Sequence, residues 1–203
     1  VVGGVLAILD GTEQPGHPDV LGVVEMLVAK KQQGVGLEGG TDLGESVLGG
    51  DLGEIHVVDL DLEVAIEGAA NAIFFNHGQC CCAGSRLYVE KDVYGEVVDG
   101  IADAAKQIKL GPGLADDTEM GPLVSDEQLT RVTGYMNAGQ EAGATCVTGG
   151  SRLGEQGYFV SPTLFKDASE DMSIVREEIF GPVVVASPFD DIEEIIERSN
   201  DST

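Results

Sequence analysis

Apolar residues recur at helical spacing in three long stretches of this chain. In residues 61–75 they recur every three or four positions, alanine is frequent and no proline interrupts, so we expect a helix there. Residues 92–108 carry a second apolar face with the same spacing. Ser125 and Gln128 are the two ends of a capping box, which predicts a third helix that begins after Ser125 and ends before Gly143.

Short apolar runs between these helices indicate β-strands. We expect four of them, at residues 86–90, 145–148, 158–160 and 182–186. Pro162 limits the hydrogen-bond ladder of the third, and the unbroken apolar run of the fourth is typical of a strand that is buried on both faces. A further helix begins within 190–198. Strands that alternate with helices predict the α/β class, with a mostly parallel sheet flanked by helices.

Residues 1–56 do not show this alternation. Glycine is dense there and recurs at Gly49, Gly50 and Gly53, which predicts turns rather than long regular elements. The change of pattern places a domain boundary between residues 56 and 57, so that 57–203 form the second domain.

The charge of the chain narrows the range of partners. Its 203 residues include 11 Lys and Arg against 36 Asp and Glu, for a formal net charge of −25. A surface of this sign argues against nucleic-acid and anionic-membrane partners, and it indicates either a solvated acidic surface or adaptation to high salt, where screening weakens self-repulsion. The sequence contains no apolar run of about 18 residues and no leader pattern at its start, so we expect no membrane span and no export.

Three of the four cysteines are adjacent, at Cys80, Cys81 and Cys82. Neighbouring cysteines rarely reach disulfide geometry with each other, and zinc ligands usually come as two spaced pairs, of which the second is missing here. Free thiols without a disulfide pattern indicate a reducing compartment, so we predict a cytoplasmic protein. Small residues on both sides of the cysteines predict a turn that presents one thiol.

Residues 74–86 fit the pattern Phe-x-Asn-x-Gly-Gln-x-Cys-x-Ala-Gly-Ser-Arg without a gap. This run resembles the cysteine motif of the NAD(P)-dependent aldehyde dehydrogenases, and the resemblance places the nucleophile at Cys81. Cys80 and Cys82 are then expected to be buried as small hydrophobic residues. Further segments resemble the family in the same order, at residues 121–124, 157–160, 162–163, 177–182 and 200–202.

The resemblance implies oxidation of an aldehyde to a carboxylic acid with NAD or NADP, through a thiohemiacetal and a thioester on Cys81. It implies that Glu178 binds a cofactor ribose and that Phe180 packs near the nicotinamide. The plainer alternatives are an exposed charge for Glu178 and core packing for Phe180. Residues 37–44, which include Gly39, resemble the family's loop beside the dinucleotide.

The general base that hydrolyses the thioester is less well matched. In the family it is a Glu of a Leu-Glu-Leu-Gly-Gly motif upstream of the cysteine. Counting back without gaps places Val47 at that position, and a valine cannot transfer a proton. Glu38 lies in a similar segment that has lost one residue, and it is our candidate base, although an exposed loop carboxylate is an equal alternative.

The resemblance also bears on the organisation of the protein. It identifies residues 1–56 as the remnant of a cofactor-binding domain and residues 57–203 as the catalytic domain, and it implies a homo-oligomer in the full-length form. We expect a fragment of a longer protein, or a sequence with errors in its first quarter. The alternative functions are a catalytically silent relative and an esterase that needs no cofactor.

Overall fold

The computed structural model describes residues 4–9, 24–30, 59–191, 194–195 and 198, with side chains from residue 62 onward. The strands are β1 (Gly4–Leu9), β2 (Val24–Lys30), β3 (Asp59–Asp61), β4 (Gly84–Glu90), β5 (Thr145–Thr148), β6 (Thr163–Lys166) and β7 (Val183–Phe189). The helices are α1 (Leu62–Phe74), α2 (Lys91–Gln107), α3 (Asp126–Glu141) and α4 (Ser173–Arg176). In these residues the strands form one sheet with the order β3-β2-β1-β4-β7-β6-β5.

The sheet is parallel except at one edge. β4 pairs in parallel with β1 on one side and with β7 on the other, whereas β5 pairs antiparallel with β6. The predicted fold class, a mostly parallel α/β sheet flanked by helices, is therefore confirmed. The domain boundary between residues 56 and 57 falls outside the described residues and stays a prediction.

Helices cover both faces of the sheet because β7 is apolar on both of its faces. Val184 and Ala186 pack with α1 and α2 in one core cluster, and Val183 and Val185 pack with α3 and α4 in the other. All four of these side chains are buried, as the unbroken apolar run predicted. β7 thus contributes to both hydrophobic layers, as does β6 through Leu164 and Phe165.

The three long helices form where the apolar spacing predicts them. The side chain of Ser125 accepts a hydrogen bond from the backbone N of Gln128 at 3.1 Å and so caps α3. The other half of the predicted capping box does not form, because the Gln128 amide donates to a distant loop instead. In the described part of the chain, no helix is long and apolar enough to cross a bilayer.

Three expectations about regular structure need correction or remain partial. Residues 158–160 do not form a strand; only Val160 makes an isolated bridge, with Arg152, and the strand begins after Pro162 as β6. The expectation of turns in the first quarter is wrong for β1 and β2, where short runs between glycines are rich enough in strand-forming residues to extend the sheet. Of the predicted helix at 190–198, the described residues 194, 195 and 198 are helical.

Two glycines of α2 should respond in opposite ways to alanine. A Cβ at Gly95 would meet no heavy atom within 4 Å, so Gly95→Ala should stabilise the chain by about 0.5–1 kcal/mol through helix propensity. A Cβ at Gly100 would lie 2.6 Å from Cδ1 of Ile66 on α1, so Gly100→Ala should destabilise it by about 1–3 kcal/mol. Urea unfolding measures both changes, and equal shifts would contradict the close packing of α1 on α2.

Candidate active site

Two loops meet at the amino-terminal edge of the central strands. Residues 75–83, which we call the cysteine turn, lead from α1 into β4, and residues 177–182, which we call the acidic loop, lead into β7. Because β4 and β7 are neighbours and parallel, both loops lie at the same edge of the sheet. Open parallel sheets usually bind ligands at the opposite, carboxyl edge, so this arrangement is distinctive.

Near its start, the cysteine turn has three successive residues in the left-handed region. Asn76, His77 and Gly78 have φ values of 49°, 60° and 64°. Such a backbone costs an ordinary residue about 1–2 kcal/mol, and only glycine adopts it freely. The Asn76 side chain offsets part of this cost by donating to the carbonyl of Gln79 at 3.0 Å. Backbone strain that is held in this way is common at functional sites.

Gly78 is also the point where the cysteine turn touches the acidic loop. A Cβ at Gly78 would overlap the carbonyl oxygen of Gly181, so only glycine fits. Behind that contact, a Cβ at Gly181 would lie 2.5 Å from Cγ2 of Val132 on α3. The two loops therefore pack backbone to backbone, and the acidic loop in turn packs on the Val132 side chain of α3.

Gln79 links the cysteine turn to a third segment. Its side-chain oxygen accepts a hydrogen bond from the backbone N of Val124 at 3.1 Å. The neighbouring Leu123 N donates to the carbonyl of Tyr158 at 2.9 Å. Residues 121–124 and 157–160, which are far apart in the sequence, are thus brought together beside the cysteines.

The three adjacent thiols have different surroundings. Cys81, the predicted nucleophile, is exposed, and Cys80 is half-buried and packs against the core cluster of α1 and α2. Cys82 is exposed, so the prediction that it is a buried small residue is wrong in this structure, because the turn points it away from the core before β4 begins. The two outer sulfur atoms, of Cys80 and Cys82, lie 3.2 Å apart.

That sulfur contact shifts the pKa values of the two thiols in opposite directions. The backbone N–H of Cys82 and then its thiol donate to Cys80, and they lower the pKa of the Cys80 thiol. The pKa of Cys82 is raised, first by its side-chain hydrogen bond with Cys80 and then by partial desolvation of its otherwise exposed thiol. The Cys80 thiol is therefore expected to ionise at lower pH than the Cys82 thiol.

The acidic loop presents the two predicted cofactor residues at the rim of a cavity. Glu178 is half-buried and Phe180 is 37% exposed, with a φ of 58°. Both line a cavity of about 470 Å³ together with three residues of α3, which are Glu127, Gln128 and Arg131. Core packing, the plainer alternative for Phe180, does not fit this exposure.

Sequence reasoning missed Gln128 and Arg131 as members of this site. Gln128 was expected to complete a helix cap, and Arg131 carried no motif. Their spacing of three residues, which places both on one face of α3 beside the N-cap, is the signal that could have found them.

Several predicted residues cannot be placed in the site. Glu38, Gly39 and Val47 lie outside the described residues, so the geometry of the general base and of the loop at 37–44 stays a prediction. Within the described ranges, no group of three His, Cys, Asp or Glu side chains is arranged to hold a metal ion.

The described residues thus form an α/β protein in which a thiol turn is stacked on an acidic loop at the amino-terminal edge of the sheet. Residues 46–203 match the model of the aldehyde dehydrogenase family. The chain is 50% identical to a putative aldehyde dehydrogenase of Bacillus subtilis and 44% identical to the mitochondrial aldehyde dehydrogenase of Homo sapiens, over 76% and 77% of its length. The chain therefore belongs to the aldehyde dehydrogenase family.

Solved structures agree with this assignment. An NAD+ complex of an aldehyde dehydrogenase from Bacillus cereus is 50% identical, with a TM-score of 0.69, over 73% of this chain and 33% of that one. A betaine aldehyde dehydrogenase from Staphylococcus aureus in complex with NAD+ is 39% identical, with a TM-score of 0.67, over 70% of this chain and 29% of that one. This chain spans 31% of the length of the Bacillus subtilis relative and 30% of the human one.

The stack of glycines predicts a specific sensitivity at Gly78. Gly78→Ala should destabilise the chain by about 2–4 kcal/mol, because it adds a clash with the Gly181 carbonyl to the strain of a left-handed backbone. The matched control is Gly154→Ala, at a φ of 67° with no heavy atom within 4 Å, which should cost only about 1–2 kcal/mol. Urea unfolding compares the two, and equal losses would mean that the turn and the loop are not in contact.

The sulfur pair predicts an order of alkylation. A thiol with a lowered pKa is ionised at lower pH, so in a Cys81→Ser background iodoacetamide should modify Cys80 at lower pH than Cys82. Cys82→Ala removes one thiol donor and should move the Cys80 profile to higher pH. Peptide mass spectrometry across a pH series measures both profiles, and a Cys80 profile that does not move would refute the thiol contact.

Proposed function

We propose that this chain supplies the nucleophilic thiol and part of the nicotinamide-cofactor site of an enzyme that oxidises an aldehyde to a carboxylic acid. One observation carries the proposal. An exposed thiol stands on a turn whose backbone is fixed against the loop that presents Glu178 and Phe180. Family membership supports the same chemistry, and the activity of the whole protein is part of the proposal.

Cys81 is the proposed nucleophile. Its sulfur attacks the carbonyl carbon of the aldehyde and forms a thiohemiacetal, in which the former carbonyl oxygen bears the negative charge. The backbone N–H of Cys81 donates to that oxygen, as the resemblance implies. Loss of hydride from the carbon leaves a thioester, and water then cleaves the C–S bond to release the acid and the thiol.

The cavity beside the acidic loop fits a nucleotide cofactor by the chemistry of its lining. A carboxylate such as Glu178 accepts hydrogen bonds from both hydroxyls of a ribose, and the partly exposed ring of Phe180 offers a flat apolar surface for an aromatic ring. When bound, NAD or NADP supplies the acceptor for the hydride.

Glu38 remains the proposed general base, and Gly39 is proposed to lie beside the cofactor. A carboxylate in a water-poor site can take a proton from the water that attacks the thioester, provided that burial raises its pKa. Val47, at the position found by counting back without gaps, has no group that can do this.

The partners and location follow the same proposal. We propose a small-molecule aldehyde as substrate, a homo-oligomer for the full-length protein and a cytoplasmic location, without nucleic-acid or membrane partners. The net charge of −25 supports the exclusion of polyanionic partners. The matched human protein is mitochondrial by name.

The decisive variant is Cys81→Ser in the full-length protein that carries this chain. A serine hydroxyl is a far weaker nucleophile at neutral pH, so aldehyde-dependent reduction of NAD should fall by about 1,000-fold or more. Cys146→Ser is the matched control, because Cys146 lies on β5 and its thiol donates to the Thr148 carbonyl at 3.3 Å. Its activity should stay within about twofold of the parent, and the absorbance of the NADH that forms measures the rate of both variants.

Other outcomes separate the alternative functions. Ester hydrolysis without NAD that disappears in Cys81→Ser would identify an esterase. A Cys81 that alkylates no faster than a free thiol, together with no turnover of any aldehyde, would identify a catalytically silent relative.

A further inference from the structure

Cys80 and Cys82 form a pair of thiols on either side of the proposed nucleophile. Their sulfur atoms lie 3.2 Å apart, which is close enough for a hydrogen bond between the two thiols. Both are free, and the fourth cysteine of the chain, Cys146, donates its thiol to the Thr148 carbonyl on β5. The pair is therefore a dithiol, and the mechanism proposed above uses neither of its members.

The backbone of the cysteine turn brings these two side chains together. The backbone N of Ala83 donates to the carbonyl of Cys80 at 3.1 Å, which closes a tight turn just before β4 begins at Gly84. Cys80 is fixed at the start of this turn, because its side chain packs against the core of α1 and α2. The turn thus keeps the side chains of Cys80 and Cys82 in contact, with Cys81 between them.

The geometry favours a disulfide between the outer two cysteines over any bond to the middle one. The sulfur atoms of a disulfide are about 2.05 Å apart, so this pair has to approach by only about 1 Å. Cys81 is adjacent to both, and adjacent cysteines rarely reach disulfide geometry with each other. The lowered pKa of Cys80 makes its thiol the first of the pair to ionise, so its sulfur is the attacking group.

We propose that Cys80 and Cys82 are a reversible oxidation site whose reactant is a small organic disulfide, R–S–S–R. In the first step the Cys80 thiolate attacks one sulfur of R–S–S–R, the S–S bond breaks and R–S⁻ leaves. In the second step the Cys82 thiol loses its proton, and its sulfur attacks that of Cys80 and displaces the second R–S⁻. The two protein thiols are thereby oxidised to one disulfide, and R–S–S–R is reduced to two thiols.

The new bond should act as a switch on Cys81, and this part of the inference rests on the proposed function. Closing the bond tightens the backbone on both sides of Cys81, and a displacement of about 1 Å at a reacting group can lower a rate about 100-fold. The ring contains only three residues, so it removes little entropy from the unfolded chain. Cys82 is exposed, and exposed disulfides are readily reduced, so the switch should be reversible.

The test uses the full-length protein that carries this chain, with Cys81→Ser. The protein is incubated with oxidised glutathione and then with iodoacetamide, and cleavage after Glu67 and Glu90 releases residues 68–90, which contain the pair but not Cys146. By mass spectrometry this peptide should lose two hydrogen atoms and take up no iodoacetamide, at a rate within about twofold of that of the internal bond in the parent. Dithiothreitol should restore both thiols.

Single variants of the pair and a distant cysteine are the controls. In Cys80→Ala and Cys82→Ala only adjacent cysteines remain, so the internal bond should form at least about tenfold more slowly and glutathione should stay attached. Cys146→Ser should match the parent. The inference is overturned if the parent forms an internal bond that Cys81→Ser does not, because that bond would then include Cys81. It is also overturned if Cys80→Ala forms the bond as fast as the parent.

Activity is measured separately, so that failure of this inference and failure of the proposed function can be distinguished. With Cys81 intact, aldehyde-dependent reduction of NAD should fall at least about tenfold in the fraction of protein that carries the internal bond and no glutathione, and dithiothreitol should restore it. Full activity of that fraction would overturn the switch. A parent that oxidises no aldehyde contradicts the proposed function, whereas the mass-spectrometric test of the oxidation site still decides.

Discussion

The site depends on the contact between Gly78 and Gly181. Neither position has room for a side chain, so the backbone of the cysteine turn rests directly on the backbone of the acidic loop, and the loop rests on Val132 of α3. Backbone contacts of this kind have fewer soft torsions than contacts between long side chains. The stack therefore leaves little freedom in the distance between the cysteine turn and the candidate cofactor-binding residues, Glu178 and Phe180.

The same contact explains why α3 matters to the site, although none of the candidates Cys81, Glu178 and Phe180 lies on this helix. α3 buries Leu129, Val132 and Met136 in the core, while the face with Gln128 and Arg131 binds the acidic loop. A single helix thus anchors the core layer and supports the loop. Movement of α3 relative to the sheet would be transmitted to the cavity.

Much of the fold was predictable because burial on a parallel sheet leaves a strong periodic signal. The limits of α1, α2 and α3 follow their apolar spacing within a residue or two, and β5 was predicted with its observed bounds. β6 was missed because the strand was predicted before Pro162, at residues 158–160, whereas the observed strand begins after it. β1 and β2 were missed because the glycines around them suggested turns.

The candidate site was only partly predictable. The resemblance of residues 74–86 and 177–182 to family segments made Cys81, Glu178 and Phe180 candidates, because short fixed spacings are visible in a sequence as a pattern. The hydrogen bonds from Gln128 and Arg131 join residues about 50 positions apart, and no local pattern records such a pairing. The exposure of Cys82 was also invisible, since it depends on where the turn leaves the core.

The placement of the site at the amino-terminal edge has a consequence for protein engineering. At the carboxyl edge, β4 ends at Glu90 and β7 ends at Phe189, and the residues that follow them, Lys91 and Asp190, form an exposed ion pair. Such a pair contributes only about 0.2–1 kcal/mol, and none of the described candidate residues lies there. That edge offers a place to attach a fluorophore, a tether or a fused partner at a distance from the chemistry.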